Sequence, residues 1–551
     1  MRGHANPAPR RSGQGRAPGV MRGLRLLAGL AVTLSFFALR NASRLPARKV
    51  AAGKELPDAS GTSLAAAARR QTKDHPNLSG LHLLESGIDA CAARLALVKA
   101  AESRLDVQYY IWHGDRTGTL LLQAIHEAAE RGVKVRMLLD DNGISGLDTA
   151  LAALDQHPGV EIRIFNPFAI RFPKALGFLF DFKRLNRRMH NKSLTVDGSV
   201  TIVGGRNIGD EYFDADDEAM FVDLDVLAIG PAVAAVEEDF QRYWDSQSAY
   251  PAHQILPRVR ASQRRKLAKR AAAVSRDDSA RRYIGRLNEL SLVDDLRNGA
   301  LALEWAEVRL VSDDPAKTLG KAEQRDLLLT NLQGLMGPVR REIGLVSGYF
   351  VPGAQGAETF ADLAASGISI TILTNGYAAS DVGLVHAGYA PHRKRLVSAG
   401  VRLLEIQPWP TSPGTAQKTN HVGIAKRFRG TGTGSTAALR SGVTTLHAKT
   451  FTVDRERLFV GSFNLDPRSY ELNTELGFVI ESPAFATRVA DRLEEAVKGP
   501  VCEVVMGADG ELRWKFVAED VSLELDAEPG MTALDRLIVG IARRLPIARL
   551  L

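Results

Sequence analysis

One short pattern occurs twice in this chain of 551 residues. It reads H-x-K-x-x-x-x-D and covers residues 190–197 and residues 447–454. Each copy is followed by a turn that contains glycine and ends in asparagine, at residues 204–207 and 461–464. A single copy of so short a pattern would be a weak signal, whereas two copies with matching sequels are a strong one. Because the two histidines are 257 residues apart (447 − 190), we infer that a whole domain has been duplicated.

The segments before the two motifs have the same order of predicted elements. Strands are predicted at residues 105–112 and 133–140 before the first motif. Residues 343–352 and 367–376 stand at the corresponding places before the second motif. Predicted helices alternate with these apolar strands, which indicates an α/β fold with mostly parallel sheets.

Length and composition predict two large folded halves within a longer chain, since 551 residues exceed what a single core usually organises. An apolar content of 45% and a charged content of 24% are those of an ordinary folded protein. The predicted divisions are a disordered, basic N-terminal region (1–75), a first half (76–250), a basic connector (251–300), a second half (301–500) and a C-terminal extension (501–551). For the connector, a solvated helical linker is favoured over a binding patch.

The N-terminal region contains an apolar segment at residues 24–39 with basic residues on both sides. Its apolar run from Leu26 to Leu39 is shorter than the roughly 20 residues that span a membrane. A cleaved signal peptide, a short uncleaved anchor and a start codon assigned too early all remain open. These alternatives also leave open on which side of the membrane the protein would act.

Charge and cysteine usage narrow the class of protein. A net charge of +8 favours an anionic partner, either phospholipid or nucleic acid, although a merely soluble surface explains it about as well. The two cysteines, Cys91 and Cys502, exclude a disulfide framework and a cysteine-rich zinc site. No residue cluster with metal-ligand spacing accompanies the motifs, so we predict a reaction that needs neither a metal nor a cofactor.

The residue types within the motifs predict a phosphate site. On a strand, residues two apart project from the same face, so His190 and Lys192 are expected side by side. The same holds for His447 and Lys449, and pseudo-two-fold packing of the halves would bring the two pairs together. A buried lysine beside a histidine is costly unless an anion accompanies it, and a phosphate would remove that cost. An ordinary core histidine would explain one such pair, but not two pairs with matching asparagines and acids.

Two facing histidines suit a two-step displacement at phosphorus. One attacks and forms a phosphohistidine, while the other protonates the leaving alcohol and then deprotonates the incoming one. The residues expected to stabilise charge on the phosphate oxygens are Lys192, Lys449, Asn207 and Asn464. Asp223 and Glu475, each eight residues before a proline, are expected to accept a hydrogen bond from an imidazole N–H. Asp197 and Asp454 lie far along the strand from the histidines and are expected to have a structural role.

These residues resemble those of the phospholipase D superfamily, in its members with two motifs in one chain, and more narrowly those of the bacterial cardiolipin synthases of the C type. The stretches that carry the closer resemblance are residues 105–112, 184–192, 203–210, 385–390 and 461–469. The resemblance extends from about residue 75 to the C-terminus. It implies two pseudo-symmetric α/β/α sandwich domains with the active site at their interface.

The resemblance also implies an activity and its residues. Enzymes of this family move a phosphatidyl group from a donor lipid to the glycerol hydroxyl of phosphatidylglycerol, and the C-type subgroup is associated with phosphatidylethanolamine as the donor. His190 would be the nucleophile and His447 the acid and base. Gly205 stands where the second half has Ser462, so only the second half is expected to offer a hydroxyl to the phosphate.

Two stretches favour contact with a membrane surface. Residues 171–188 mix aromatic and basic side chains, a composition that suits a bilayer surface and also single-stranded nucleic acid. Near the C-terminus, five apolar residues form a helical stripe: Leu534, Leu537, Ile538, Ile541 and Leu545. An interfacial helix and a helix docked on the enzyme's own surface fit this stripe equally well. Residues 409–445, rich in glycine, threonine and serine, are expected to form a lid or an insertion.

Three activities fit such a site: a phosphatidyltransferase that makes cardiolipin, a phospholipase D that uses water as the acceptor, and a nuclease. Two motifs in one chain and the two apolar stretches favour lipid over nucleic acid. We therefore expect phospholipid substrates, a membrane-associated protein of the bacterial inner membrane, no nucleic-acid partner and no obligate protein partner. Transfer and hydrolysis remain open, because the choice depends on how well the site excludes water.

Overall fold

A computed structural model describes residues 41, 43–50, 56–215, 221–276, 278–380, 383–407, 445–496, 501–518 and 521–542. The apolar segment at 24–39, Leu545 and nearly all of the loop at 409–445 lie outside these residues. Within the described part of the chain, no helix combines the length and the apolar character needed to cross a membrane.

The described residues of the first half form nine strands and the helices between them. The strands are β1 (Ser79–Leu84), β2 (Arg104–Ile111), β3 (Lys134–Gly143), β4 (Val160–Phe165), β5 (Ser193–Val196), β6 (Val200–Gly204), β7 (Phe221–Val222), β8 (Asp225–Ile229) and β9 (Ala249–Pro251). The helices are α1 (Ser63–Thr72), α2 (Gly87–Ala100), α3 (Arg116–Glu130), α4 (Asp148–Leu154), α5 (Phe178–Leu185), α6 (Pro231–Asp245) and α7 (Ala252–Ile255).

The connector is helical, and the second half repeats the layout of the first. The connector helices are α8 (Ala261–Arg276), α9 (Asp278–Asn288) and α10 (Leu292–Asn298). The strands that follow are β10 (Glu304–Ser312), β11 (Glu342–Ser347), β12 (Ser369–Asn375), β13 (Arg402–Ile406), β14 (Thr445–Leu446), β15 (Lys449–Val453), β16 (Arg457–Gly461), β17 (Leu476–Glu481), β18 (Val501–Met506), β19 (Leu512–Ala518) and β20 (Val521–Leu525). The helices are α11 (Leu328–Met336), α12 (Gly353–Ala365), α13 (Gly383–Tyr389), α14 (Arg393–Ser398), α15 (Pro467–Glu471), α16 (Pro483–Glu495) and α17 (Ala533–Ala542).

Each half has three parallel strands at its centre, as the alternation of helices and strands predicts. These are β2, β3 and β4 in the first half and β11, β12 and β13 in the second. The motif strands β5 and β15 instead pair antiparallel with β2 and β11, and the strands beyond them are antiparallel as well. The α/β fold with two repeated halves is thus confirmed. The expectation of mostly parallel sheets is correct for the centre of each half and wrong for the flanking strands.

A tight turn at the end of each motif makes the motif strand antiparallel to the strand that follows it. Asp197 and Gly198 have φ values of 51° and 57°, and Asp454 and Arg455 have 56° and 54°. Consecutive residues with positive φ reverse the chain within a hairpin, so β5 runs into β6 and β15 into β16. Gly198 cannot be replaced easily, because at φ 57° its backbone has a conformation that L side chains rarely adopt.

The two halves are joined by strand pairing and by a shared core. β1 pairs antiparallel with β8 of its own half and also with β10, which in turn pairs with β17 of the second half. A buried apolar cluster crosses this junction and includes Leu81 and Val226 from the first half and Leu458 and Phe478 from the second. The junction therefore fixes the two motif-bearing halves relative to each other.

Two expected domain boundaries need correction. Helix α1 lies inside the region expected to be disordered, where Thr62 caps its first turn and Leu64 is buried in the core of the first half. Composition alone missed this short alanine-rich helix because its stability comes from packing against the folded half. At the other end, β18 pairs with β13, and β19 and β20 continue from it. Residues 501–525 are therefore part of the second sheet and not a separate extension.

Residues 168–182 form part of a separate compact unit. Phe168 and Phe178 pack edge to face with their ring centroids 5.4 Å apart, and the Lys174 ammonium lies 5.7 Å from the Phe168 ring. Phe172 and Leu179 are exposed. The segment thus combines exposed apolar side chains with basic ones, the composition on which the expected membrane contact rests.

Candidate active site

The backbone of each motif is held by the other half of the protein. His190 N donates to Thr474 O at 2.8 Å, and His447 N donates to Val222 O at 2.9 Å. Short strand β14, directly before His447, also pairs parallel with β7. Thr474 precedes Glu475 and Val222 precedes Asp223 in the sequence. Each histidine is therefore placed beside the acid that follows the opposite motif.

The side chains repeat this crosswise arrangement. His190 Nδ1 lies 2.7 Å from Glu475 Oε2, and His447 Nδ1 lies 2.5 Å from Asp223 Oδ2. Both acids are buried, Glu475 completely. An ionised carboxylate accepts a hydrogen bond, so each pair places the ring proton on Nδ1. The chemistry of both rings is thereby directed to Nε2.

Both motif lysines turn back onto their own histidines. Lys192 Nζ donates to His190 O at 2.5 Å. Lys449 Nζ donates to His447 O and lies 3.0 Å from His447 Nδ1. Both lysines are buried, and each of them acts electrostatically on both histidines. The two motifs therefore form a single site with two cationic and two anionic groups.

Burial dominates the proton affinities of His190 and of the two charged groups beside it. Burial, together with Lys192 and Lys449, lowers the pKa of His190 well below its usual range. Burial also lowers the pKa of Lys192 to about 7 and raises the pKa of Glu475 to about 7. The desolvation of these charges therefore brings an acid and a base into the same neutral range, a property typical of catalytic centres.

The second pair has a different electrostatic balance. Burial, followed by the charge of Lys449, lowers the pKa of His447 to about 3. Burial would raise the pKa of Asp223, but His447, Lys449 and Arg206 outweigh it and hold that pKa below its usual range. Asp223 is thus a fixed anion beside a neutral imidazole. An anionic phosphate near Lys449 would favour the protonated form of His447, because it offsets the lysine charge.

The Ser462 side chain bonds to the acid beside His190. Its hydroxyl donates to Glu475 Oε2 at 2.5 Å and accepts from Leu476 N at 3.0 Å. A second hydroxyl, that of Ser469, donates to Glu475 Oε1 at 2.9 Å. In this structure the Ser462 hydroxyl therefore donates to the carboxylate that orients His190, and its expected role towards the phosphate stays a prediction.

The corresponding position in the first half explains why it is a glycine. A Cβ at Gly205 would lie 2.1 Å from Asp223 Oδ1. The shorter acid of this half sits closer to its own strand, and its Oδ1 accepts from Leu224 N at 2.8 Å. The glycine and aspartate of one half thus replace the serine and glutamate of the other as a matched pair.

The two predicted asparagines differ in their partners. Asn207 Oδ1 accepts from Ile111 N at 3.1 Å, and its Nδ2 donates to the Tyr212 hydroxyl at 3.0 Å. Asn464 is buried, and its Oδ1 has no hydrogen-bond partner among the described residues. Asn207 therefore ties strand β2 to the turn at Tyr212, while Asn464 retains hydrogen-bonding capacity.

Two tyrosines that the sequence analysis did not single out pack against the histidines. The ring of Tyr110 meets that of His190 edge to face with centroids 4.9 Å apart, and Tyr212 meets His447 in the same way at 5.1 Å. Both tyrosines come from the first half and both are buried. Tyr110 lies at the end of the predicted strand at 105–112, where ligand-binding residues of parallel sheets gather, which was the available signal.

Asp197 and Asp454 lie at the far ends of the motif strands. The Asp197 carboxylate accepts hydrogen bonds from the backbone N–H groups of residues 102–104 at 2.8–3.1 Å. The Asp454 carboxylate accepts from those of residues 340–342 at 2.7–3.2 Å. Each aspartate thus holds the turn that leads into the parallel strand beside its own motif, β2 in one half and β11 in the other.

Among the described residues, one group has donor atoms close enough for a metal ion: His113, Asp115 and Glu211. Each member already has a protein partner. His113 Nδ1 lies 2.9 Å from Glu211 Oε1, and Asp115 caps helix α3 by accepting from Gly118 N at 3.0 Å. An ion pair beside a helix cap accounts for this group without a metal.

Comparison with known proteins identifies the fold and the family. The family model described as the phospholipase D-like domain of cardiolipin synthase matches residues 95–244 and again residues 336–497. The chain is 44% identical to cardiolipin synthase C of Escherichia coli K12 over 490 residues, which cover 89% of this chain and 99% of that protein. It is also 30% identical to an uncharacterised protein of Helicobacter pylori 26695, over 86% of this chain and 90% of that one.

A solved structure supports the fold alone. The phosphatidylserine synthase of Haemophilus influenzae Rd KW20 aligns with a TM-score of 0.50 at 14% identity, covering 79% of this chain and 91% of that one. The two family-model matches each contain one of the motifs and together exceed half of the chain. With two copies of this domain in one polypeptide, the chain belongs to the phospholipase D-like family of cardiolipin synthases.

Proposed function

We propose that this protein is a cardiolipin synthase, which moves a phosphatidyl group from one phospholipid to a glycerol hydroxyl of phosphatidylglycerol through a phosphohistidine. The observation that carries the proposal is the crosswise pairing of His190 with Glu475 and His447 with Asp223. It gives one site two imidazoles with their Nδ1 atoms engaged, which a two-step displacement requires. The 44% identity to a cardiolipin synthase C supports the choice of substrate class.

In the first step, His190 Nε2 attacks the phosphorus of the donor lipid. A P–N bond forms, and the bond from phosphorus to the headgroup oxygen breaks. His447, which takes up a proton at Nε2 when the anionic phosphate binds near Lys449, gives that proton to the headgroup oxygen. The donor's headgroup leaves as an alcohol. Glu475 stabilises the positive charge that develops on the His190 ring, because its carboxylate accepts the Nδ1–H bond.

In the second step, a hydroxyl of the phosphatidylglycerol headgroup replaces the alcohol that left. His447, now neutral, takes the proton of this hydroxyl while its oxygen attacks the phosphorus. The P–N bond breaks and restores His190. Lys192, Lys449 and Asn464 are the groups we assign to the non-bridging oxygens, because both ammonium groups lie beside the histidines and offer donors to an anion.

The proposal also concerns the identity of the donor lipid and of the acceptor. The resemblance to C-type enzymes favours phosphatidylethanolamine as the donor, with phosphatidylglycerol as the alternative. Water can attack the same intermediate, which would make the protein a phospholipase D. Because the substrates reside in bilayers, we also propose that the protein works at the bacterial inner membrane. A reporter fused after residue 50 would show on which side.

The test is mass spectrometry of lipids after incubation of the purified protein with phosphatidylglycerol, with and without phosphatidylethanolamine. Cardiolipin is expected, with ethanolamine released when phosphatidylethanolamine is present. Phosphatidic acid alone would show that water is the acceptor. Unchanged lipids would overturn the proposal and make a DNA substrate the next test.

Variants of the two histidines test the mechanism. His190→Ala and His447→Ala are each expected to abolish turnover while the protein stays folded. The matched control is His126→Ala, an exposed histidine on helix α3, which is expected to leave turnover unchanged. Substantial turnover by either motif variant would contradict the two-histidine mechanism.

A further inference from the structure

Helix α17 packs on the second half through one face. Val539 is 2% exposed and lies in an apolar cluster with Val385 and Ala387 of helix α13. Tyr377 belongs to the same cluster, and Met531 packs against it. One of the two alternatives for the C-terminal stripe, a helix docked on the enzyme's own surface, therefore describes the inner face of α17.

A buried ion cluster fixes the start of this helix. Glu528, just before α17, accepts from both terminal nitrogens of Arg393 at 2.6 and 2.9 Å. Its Oε1 also lies 3.2 Å from His386 Nε2 on helix α13. Arg393 is held from its other side by Glu405, with Nε 2.6 Å from Oε1. Charged groups that are buried and paired this way are strongly destabilising to separate, so α17 is a fixed part of the second half.

The outer face of α17 carries large apolar side chains in contact with solvent. Leu534, Leu537 and Ile541 are 53%, 60% and 54% exposed. Their spacing of three and four residues places them in one stripe along the helix. The described residues contain eight exposed large hydrophobic side chains, and three of them lie on this helix of ten residues. Such a concentration marks an interaction surface and not the scatter found on any protein.

The position of α17 relates it to the motif of its half. Helix α13, on which it packs, follows strand β12, whose last residue is Asn375. Asn375 Oδ1 accepts from Leu446 N at 2.9 Å, and its Nδ2 donates to Leu446 O at 2.8 Å. Leu446 directly precedes His447. Helix α17 therefore packs on the helix that follows strand β12, and the last residue of β12 holds the backbone directly before His447.

We propose that the outer face of α17, formed by Leu534, Leu537 and Ile541, docks on a bilayer that contains anionic phospholipid. This inference rests on the proposed function, since phosphatidylglycerol is both an anionic lipid and the substrate. Charge supports this occupant: the exposed Arg536 lies beside the stripe, and the chain carries a net charge of +8. The Asp535 carboxylate accepts from Thr532 N and the Thr532 hydroxyl at 2.9 and 2.7 Å, so it is engaged at the start of the helix. An amphipathic helix of this kind lies in the plane of the membrane interface.

The test is co-sedimentation of the full chain with vesicles of phosphatidylglycerol and phosphatidylethanolamine. Leu537→Asp is expected to weaken partitioning at least about tenfold, the factor that follows from returning one leucine side chain to water. The matched control is Leu290→Asp, an apolar residue of the connector that is 38% exposed. The control is expected to partition like the wild type. Equal partitioning of Leu537→Asp and the wild type would overturn the proposal.

A second measurement separates docking from catalysis. With short-chain phospholipids dispersed below their critical micelle concentration, Leu537→Asp is expected to turn over at the wild-type rate. A loss of that turnover would show that α17 serves the active site itself, which would overturn the docking role. A dimer that Leu537→Asp dissociates would show that a second copy covers the stripe, with the same consequence. Vesicle binding without any lipid conversion would leave the docking inference intact and contradict the proposed function alone.

Discussion

Glu475→Gln is the variant that most directly tests the crosswise site. The substitution keeps the shape of the side chain and a hydrogen-bond acceptor 2.7 Å from His190 Nδ1, but removes the negative charge. Before reaction the imidazole is neutral, because burial holds the pKa of His190 well below its usual range. Phosphorylation makes the ring cationic, so the charge of Glu475 stabilises the intermediate more than the ground state.

The size of the effect follows from that change in charge. A hydrogen bond to a charged group contributes about 1.5–3 kcal/mol, and each 1.36 kcal/mol of barrier corresponds to about a tenfold change in rate. We therefore expect formation of the phosphohistidine to slow by about 10- to 160-fold. Ser469→Ala removes one hydroxyl donor from Glu475 without touching His190. For this weaker change we expect a loss of about 2- to 12-fold.

The assay is a rapid-quench single turnover with a labelled donor lipid, followed by detection of the phosphorylated His190 peptide. Its pH dependence adds a second signature. Since burial raises the pKa of Glu475 to about 7 and lowers the pKa of Lys192 to about 7, the wild-type rate should rise and then fall around neutral pH. Glu475→Gln should lose the rising side and keep the falling one. An unchanged profile, or a defect confined to the second step, would refute the assignment of Glu475 to His190.

Two further substitutions test the packing around the motifs. Gly205→Ser should lower turnover about 10- to 160-fold, because its Cβ would displace Asp223 from His447. The control Gly334→Ser, at a helix position with open space around it, should leave turnover unchanged. Equal turnover by the two variants would refute the reasoning. Asp454→Asn should lower the free energy of unfolding at neutral pH by about 1–3 kcal/mol in urea titrations, since backbone donors lose a charged acceptor. Because the backbone bonds outweigh burial and depress the pKa of Asp454, its contribution is present above about pH 4 and is lost at lower pH. The Asp454→Asn stability curve should therefore be flatter there, whereas Glu456→Gln, at an exposed neighbour, should follow the wild type.

The motif chemistry was accessible from the sequence because it depends on local spacing. The repeat, the two acids and the α/β class follow from periodicity and repetition. The strand expected to carry each His–Lys pair begins later than predicted, at Ser193 and at Lys449, so His190, Lys192 and His447 precede the strands. The choice of acid for each histidine could not be derived in this way. It depends on Thr474 and Val222 reaching across to the opposite motif, which is a tertiary contact without a sequence period.

Other contacts of the site depend on the tertiary structure and could not be predicted from local pattern. The hydroxyl of Ser462, for example, lies 2.5 Å from the Glu475 carboxylate. Tyr110 and Tyr212 read as ordinary core aromatics until their rings are seen against the histidines. The direction of the flanking strands was missed as well, because hydrophobic pattern does not report the tight turns at Asp197 and Asp454 that reverse the chain after each motif.

The exchange of acids between the halves has a consequence for how such a chain can change over generations. A mutation at Asp223 removes the hydrogen-bond partner of His447, and one at Glu475 removes that of His190. Each half therefore depends on the other for the position of its histidine. Neither half can be lost, swapped or simplified while its twin is kept. Once both copies are in one gene, however, the two pockets are free to become unequal. The two halves already differ in this way: glycine stands beside aspartate in one, and serine stands beside glutamate in the other.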